Sequence, residues 1–338
     1  MYVCSTKHGN SMSMKIVYVL VSNSDDYFLE QTILGAYSVR KYNPEATIEV
    51  VVDQDTEKTL ADDRARLRDY VSDVITANVP EKYNMMQRSR FLKTNLTEYI
   101  DGDFVYMDSD TVISGSLGGI YDGVQSIGVI RDENLEEYSE PVKNWIRGTC
   151  ERMGWQDMSE EKGYNGGVII VRRNADSERF FEHWHNNWLE CSSKGYDRDQ
   201  VALTKANKEC NYIANEVDGK FNCQIAKFEA DKYKEDARIL HYYDVNTCLH
   251  VFNDLKIWNK FKFKNTIPAE FVSAVENPRE VLANRCIRIY EKDICFQKSG
   301  WHDIYYEYPM LQSYLLFFCK ILCKTWGLAR KIKAKIKH

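Results

Sequence analysis

Ten cysteines are spread through the chain, at positions 4, 150, 191, 210, 223, 248, 286, 295, 319 and 323, yet no two form a Cys-x-x-Cys pair. A compact disulfide framework is therefore excluded, and thiols scattered this widely fit a reducing compartment. Long apolar runs are also missing. The run at 16–21 is too short for a secretory h-region and leads directly into Ser22-Asn23-Ser24-Asp25-Asp26, so no cleavable signal is expected. The run at 314–319 falls far short of the roughly 20 residues needed to span a bilayer. No Gly/Ser-rich linker interrupts residues 15–250, and no internal repeat is visible. A broad cationic face is lacking too. The net charge is -5, and because 310–338 holds seven cations and no acid, residues 1–309 carry -12. An acidic body of this kind argues against nonspecific nucleic-acid binding, which needs such a face.

What remains is a chain of 338 residues with 44% hydrophobic content, enough for one large domain with an appendage or for two modest domains. The segment before Lys15 has no periodicity. Residues 15–21 read as a buried β-branched strand and 27–42 as a helix stopped by Asn43-Pro44. A second strand is expected at 47–52, a helix at 56–70 and a third strand at 71–76. Further helix is expected at 81–99, 176–191 and 199–206, and further strands at 104–107, 127–130, 167–171 and 239–242. This βαβαβ alternation predicts an α/β fold with a mostly parallel central sheet flanked by helices, and ligands at the carboxyl ends of its strands.

The sharpest chemical signal is Asp108-Ser109-Asp110, delivered by the apolar strand Phe104-Val105-Tyr106-Met107. Strand side chains alternate between faces, so the two acids project the same way if the extended conformation continues through Asp110. Two hard oxygen ligands on one side suit Mg2+ or Mn2+, and a cation there can neutralise a diphosphate and improve it as a leaving group. In isolation such a pair is more often a turn after a buried strand. Other positions carry paired readings of the same kind. His241, on a β-rich approach, offers an imidazole ligand or a core histidine. Arg90 offers a bidentate fork for phosphate or a surface ion pair. Asn165-Gly166-Gly167 allows close approach of a ligand, or positive φ, or simply a tight turn into 168–171. Asp199-Gln200 stands at an expected helix start, where Asp199 is open to reading as an N-cap.

Taken in order, Asp108-Ser109-Asp110, Tyr164-Asn165-Gly166-Gly167-Val168, Asp199-Gln200 and His241 make residues 15–250 resemble a GT-A glycosyltransferase, nearest to family 8, the glycogenin and lipopolysaccharide-galactosyltransferase type. The resemblance implies a GT-A nucleotide-diphospho-sugar transferase fold and a UDP-sugar donor, with Mn2+ (or Mg2+) on Asp108, Asp110 and His241. It implies donor contacts from Ser22, Tyr27, Asp53, Arg90, Ser109 and Lys256, and sugar or acceptor contacts from Asn165, Gly166 and Gly167. Asp199 and Gln200 would stand beside the reacting anomeric carbon, and transfer would retain configuration. The family's His-x-x-Gly-x-x-Lys-Pro-Trp motif appears here as His250-x-x-Asn253-x-x-Lys256-Ile257-Trp258, so His250 rivals His241 as the third ligand. His241 is preferred for its place at a strand end. The expected organisation is a catalytic domain over 15–250, acceptor-side elements over 251–309 and a basic amphipathic helix over 310–338.

In that last segment the apolar residues from Leu311 to Ile336 fall on one face at helical spacing, with Lys320, Lys324, Arg330, Lys331 and Lys335 opposite. A helix lying in an anionic membrane surface is expected. It would place the enzyme on the cytoplasmic leaflet, near lipid-linked glycan acceptors of surface polysaccharide or lipopolysaccharide assembly. Two rival readings exist. Asp108-x-Asp110-x-Val112 also satisfies the pattern of haloacid-dehalogenase-like phosphatases, with Asp108 as nucleophile, although no convincing later acidic pair accompanies it. A catalytically dead GT-A scaffold that binds glycan or a partner is the other.

Overall fold

The computed structural model describes residues 14–225, 228–243, 251–278, 286–289 and 292–295, together with positions 310, 311, 314, 317, 318, 321 and 325. His250, most of 279–309 and most of the basic tail lie outside the described residues. The first half follows the expected alternation: β1 (Lys15–Leu20), α1 (Phe28–Tyr42), β2 (Thr47–Asp53), α2 (Gln54–Thr59), β3 (Asp73–Ala77), α3 (Met85–Thr94), β4 (Phe104–Met107) and β5 (Thr111–Ile113). The second half adds β6 (Ile127–Arg131), α4 (Glu140–Met153), β7 (Tyr164–Val171), α5 (Ala175–Ser193), α6 (Gln200–Glu209), β8 (Ala214–Glu216), β9 (Cys223–Gln224) and β10 (Ile239–His241). α7 (Leu255–Lys264) and α8 (Ala269–Glu276) follow.

Seven strands form one sheet in the order β3-β2-β1-β4-β7-β6-β8. Four of its pairings are parallel, and β7 runs antiparallel to both neighbours. The mixed α/β architecture, with its large sheet between helices, is as the sequence predicts. Both faces of β1 are buried, which explains its unbroken apolar run. Ile16, Tyr18 and Leu20 join one core with α1, while Val17, Val19 and Val21 join a second with α5 and α6. Trp258, Phe261 and Phe271 of α7 and α8 belong to the first core, so these helices pack on the same apolar surface as β1.

Several boundaries differ from the sequence reading for local reasons. The expected helix at 56–70 divides. α2 ends at Thr59 and a 3-10 helix runs from Asp62 to Asp69, with Asp62 at φ 47° marking the break. The helix expected from residue 81 starts at Met85, where the Asn84 side chain and Gln87 form a reciprocal capping box. α4 was not expected. It carries Pro141 in its first turn and ends on Gly154 at φ 72°, a left-handed C-terminal residue that costs glycine little.

Candidate active site

The strand order reverses beside β1, because α1 carries the chain from β1 to β2 on one side and β4 lies on the other. Ligand crevices form outside the carboxyl ends of strands at such a point. A cavity of about 520 Å3 opens there. Val19 and Val21 form part of its wall, Asp25, Asp26 and Phe28 stand on one rim, and Met85, Met86, Ser89 and Arg90 from α3 on another. Tyr106, Asp108, Ser109 and Asp110 complete the lining.

The acids reach this cavity by a route other than strand alternation. β4 ends at Met107, and residues 108–110 turn before β5 begins. Three hydrogen bonds pin that turn: Asp108 N–H to Gly167 O at 2.8 Å, Thr111 Oγ1 to Asp108 O at 2.7 Å, and Tyr242 N–H to Asp110 O at 3.1 Å. β10 runs antiparallel to β5 with His241 opposite Thr111, which sets the imidazole beside the turn. One ligand atom each from Asp108, Asp110 and His241 lies within 4.8 Å of the others. His241 Nε2 is 3.2 Å from Asp110 Oδ1. Two carboxylate oxygens and one imidazole nitrogen converging this closely fit a divalent cation such as Mn2+.

The charges around the turn are paired tightly. Lys93 of α3 is buried and places Nζ 3.3 Å from Asp108 Oδ1 and 3.1 Å from Asp199 Oδ2. Arg90 Nε stands 3.3 Å from Asp199 Oδ1. Tyr106 donates a short hydrogen bond from its hydroxyl to Asp108. Burial alone would raise the Asp108 carboxyl, but the Lys93, Arg90 and His241 charges overcome it and hold the group at about 2. Asp199 is lowered in the same way, with Lys93 and Arg90 outweighing burial. For His241, burial acts to lower the imidazole, and Asp110 more than offsets it, so its pKa is raised.

Asp199 therefore does not serve as a helix cap. Its side chain makes no capping hydrogen bond at the start of α6 and turns to Lys93 and Arg90 instead. Gln200 Nε2 donates to Asp132 Oδ2 at 2.9 Å. Asn165, Gly166 and Gly167 lie within β7 rather than in a turn before it. The pairing of β6 with β7 jumps from Val129–Ile169 to Ile130–Asn165, so residues 166–168 bulge away from β6. Neither glycine has positive φ, and space decides their identity. A Cβ on Gly167 would fall 2.4 Å from His241 Cε1, and one on Gly166 would fall 3.1 Å from Lys93 Nζ.

The remaining residues expected to hold the donor are more dispersed. Ser22 is buried, donating from Oγ to Asp26 Oδ1 at 2.7 Å and accepting from Arg64 at 2.9 Å. Asp53 caps α2 through Thr56 N–H and pairs with Arg88 at 2.7 Å. Tyr27 directs its hydroxyl to Asn259 of α7 at 2.7 Å. Lys256 is exposed in the first turn of α7. Neither Tyr27 nor Lys256 lines the cavity.

Sequence reasoning missed Lys93, Asp132 and Asn222. Lys93 had a signal, since it follows Arg90 by three residues and so shares its helix face. Asp132 had one as well: it directly follows a strand, as Asp108 does, and it accepts hydrogen bonds from Asn165, Tyr138 and Gln200. Asn222 had none.

The fold and site thus define a mixed α/β domain with a carboxylate–imidazole cluster at its strand ends that could hold a cation. No protein-family model matches the chain, and no curated protein does. Solved structures of three glycosyltransferases are similar to it. The galactosyltransferase LgtC in complex with donor and acceptor sugar analogues is 17% identical with a TM-score of 0.46, over 77% of this chain and 99% of that one. Mouse xyloside xylosyltransferase 1 in its apo form is 12% identical with a TM-score of 0.45, over 68% and 97%. The apo-form glycosyltransferase GlyE of Streptococcus pneumoniae TIGR4 is 13% identical with a TM-score of 0.46, over 80% and 64%.

Proposed function

We propose that this chain is a metal-dependent GT-A glycosyltransferase of the family 8 type, moving a hexosyl group from a UDP-sugar to a hydroxyl of a glycan or glycolipid. The convergence of His241 with Asp108 and Asp110, two acids that line a cavity of about 520 Å3, carries this reading. That volume lies in the range of small-molecule sites. Asp108, Asp110 and His241 would hold Mn2+ or Mg2+, whose charge neutralises a diphosphate and stabilises it as it departs. Ser22, Tyr27, Asp53, Ser109 and Lys256 are assigned to the nucleotide end, and Arg90 to the diphosphate.

At the sugar end, Asp199 is held ionised by Lys93 and Arg90 and can only accept hydrogen bonds. It suits stabilisation of positive charge developing at the anomeric carbon. Asn165, Gly166, Gly167 and Gln200 are assigned to contacts with the sugar or acceptor. With retention, the bond from the anomeric carbon to phosphate oxygen breaks as the acceptor oxygen bonds to the same face, and the phosphate oxygen takes the acceptor proton. Incubating the protein with a panel of UDP-sugars and Mn2+ should release UDP from one or two of them, and EDTA should stop the release. No UDP from any donor would overturn the assignment.

The tail supplies a second element of the proposal. Met310, Leu311, Tyr314, Phe317, Phe318 and Ile321 are helical and exposed, an apolar stripe at helical spacing. Among the described residues no helix is long and apolar enough to cross a membrane. The seven cations that the sequence holds over 310–338 suit the anionic cytoplasmic leaflet, where each basic residue contributes about 1 kcal/mol near the surface. This peripheral docking would bring the site to lipid-linked acceptors. Flotation with anionic liposomes should be lost on deleting residues 311–338, and equal flotation of the truncated protein would sink the idea.

A further inference from the structure

Beneath the three candidate ligands lies a buried chain of amides whose donors and acceptors can be assigned in only one way. It starts at the backbone N–H of Gly167, which can only donate and lies 2.9 Å from the side chain of Asn165. The Asn165 atom facing it is therefore the carbonyl Oδ1. The same orientation sends Asn165 Nδ2 to the carboxylate of Asp132, at 3.0 Å. Asn165 Oδ1 lies 2.9 Å from the side chain of Asn222, so the Asn222 atom facing it must be the donor, Nδ2. The other Asn222 atom, Oδ1, then faces His241 Nδ1 at 3.1 Å, and an acceptor there demands a proton on Nδ1. In the neutral imidazole the bare nitrogen is consequently Nε2, the one facing Asp110.

Packing holds this arrangement in place. Asn222 is fully buried at the end of the 3-10 turn Gly219–Asn222, and its own carbonyl accepts from Asn134 Nδ2 at 3.0 Å. The His241 ring stacks on Tyr243 with centroids 4.1 Å apart and leaves no room for a Cβ on Gly167.

We infer that Asn222 is the positioning residue for the metal centre: it reads the donor direction of the Gly167 backbone through Asn165 and fixes the His241 tautomer that leaves Nε2 free to bind a cation. The inference rests on the proposed cation site and deepens it. Because Asn165 is also assigned to contacts with the sugar or acceptor, the same two amides tie the sugar-binding and cation-binding residues into one unit. An imidazole freed from such a partner rotates and exchanges tautomers, and loss of an outer partner of this kind typically weakens metal affinity by about ten- to a hundredfold.

The test is Mn2+ affinity of the full chain, followed by the electron paramagnetic resonance signal of free Mn2+ and requiring no turnover. Asn222→Ala should weaken binding about ten- to a hundredfold. Combined with His241→Ala it should add nothing to the loss of His241→Ala alone. A cooperative thermal unfolding transition of metal-free Asn222→Ala separates lost positioning from lost folding. In the metal-free protein, a slowly exchanging His241 Nδ1–H resonance should be visible by nitrogen-15 NMR and vanish in Asn222→Ala. Unchanged Mn2+ affinity in Asn222→Ala, or a full additive loss in the double variant, would overturn the inference. If His241→Ala and Asp110→Asn also leave Mn2+ binding untouched, the cation site itself fails. If those two lose binding and Asn222→Ala does not, only the role of Asn222 fails.

Discussion

Replacing Asp110 with Asn is expected to cut Mn2+-dependent UDP release by about a thousandfold or more, with the far-ultraviolet circular dichroism and thermal midpoint close to those of the parent protein. Removing a preorganised group that stabilises charge in a transition state typically costs about two to three orders of magnitude. Here the change removes the charge of a ligand and so weakens the cation as well. The fold should survive because Asp110 is partly exposed and its backbone, bonded to Tyr242 N–H, keeps the turn. What the Asn side chain loses is the full negative charge facing His241 Nε2, with almost no change in volume. Parallel measurement of UDP release and thermal unfolding checks both halves. An Asp110→Asn protein that turns over at the parental rate would remove the metal role.

Replacing Lys93 with Met is expected to destabilise the protein by about 3 kcal/mol or more, since removing one partner of a buried ion pair leaves an uncompensated charge. The lysine side chain is 3% exposed and contacts both Asp108 and Asp199. Without it, Asp199 keeps only Arg90, and Asp108 keeps the Tyr106 hydroxyl and the more distant charges. A divalent cation would restore positive charge to the same cluster. Added Mn2+ should therefore raise the thermal midpoint of the variant by more than that of the parent, because a ligand that binds only the native state stabilises it by mass action. Denaturant titrations with and without Mn2+ measure this difference. Equal stability of variant and parent in metal-free buffer would show that Lys93 is not needed to balance the acids.

The two variants probe opposite sides of one electrostatic problem. Three acids, Asp108, Asp110 and Asp199, are brought to the strand ends and balanced by Lys93, Arg90 and His241. That concentration of paired charge at a cavity is itself the mark of a functional site, since burial of so many ionisable groups does little for stability.

The sequence by itself determined the alternation of strands and helices, because buried parallel strands must be apolar on both faces and amphipathic helices must repeat near 3.6 residues. It also marked Asp108, Asp110, Asn165, Asp199 and His241, whose residue types and order are unusual enough to stand out. Tertiary structure alone decided how they meet. The acids converge through a turn pinned by Gly167, Thr111 and Tyr242, not through strand alternation, and no local pattern encodes a turn held from three separate elements. For Asp199 the sequence left a helix cap and a site residue both open, and only Lys93 and Arg90 of α3, which hold its carboxylate, exclude the cap. The glycines of β7 are explained by the His241 ring lying against Gly167 and by Lys93 beside Gly166, contacts made across 74 and 73 residues of chain. Asn222 carried no signal at all: an asparagine before a short strand is ordinary, and its role arises only where long-range packing sets one amide between Asn165 and His241.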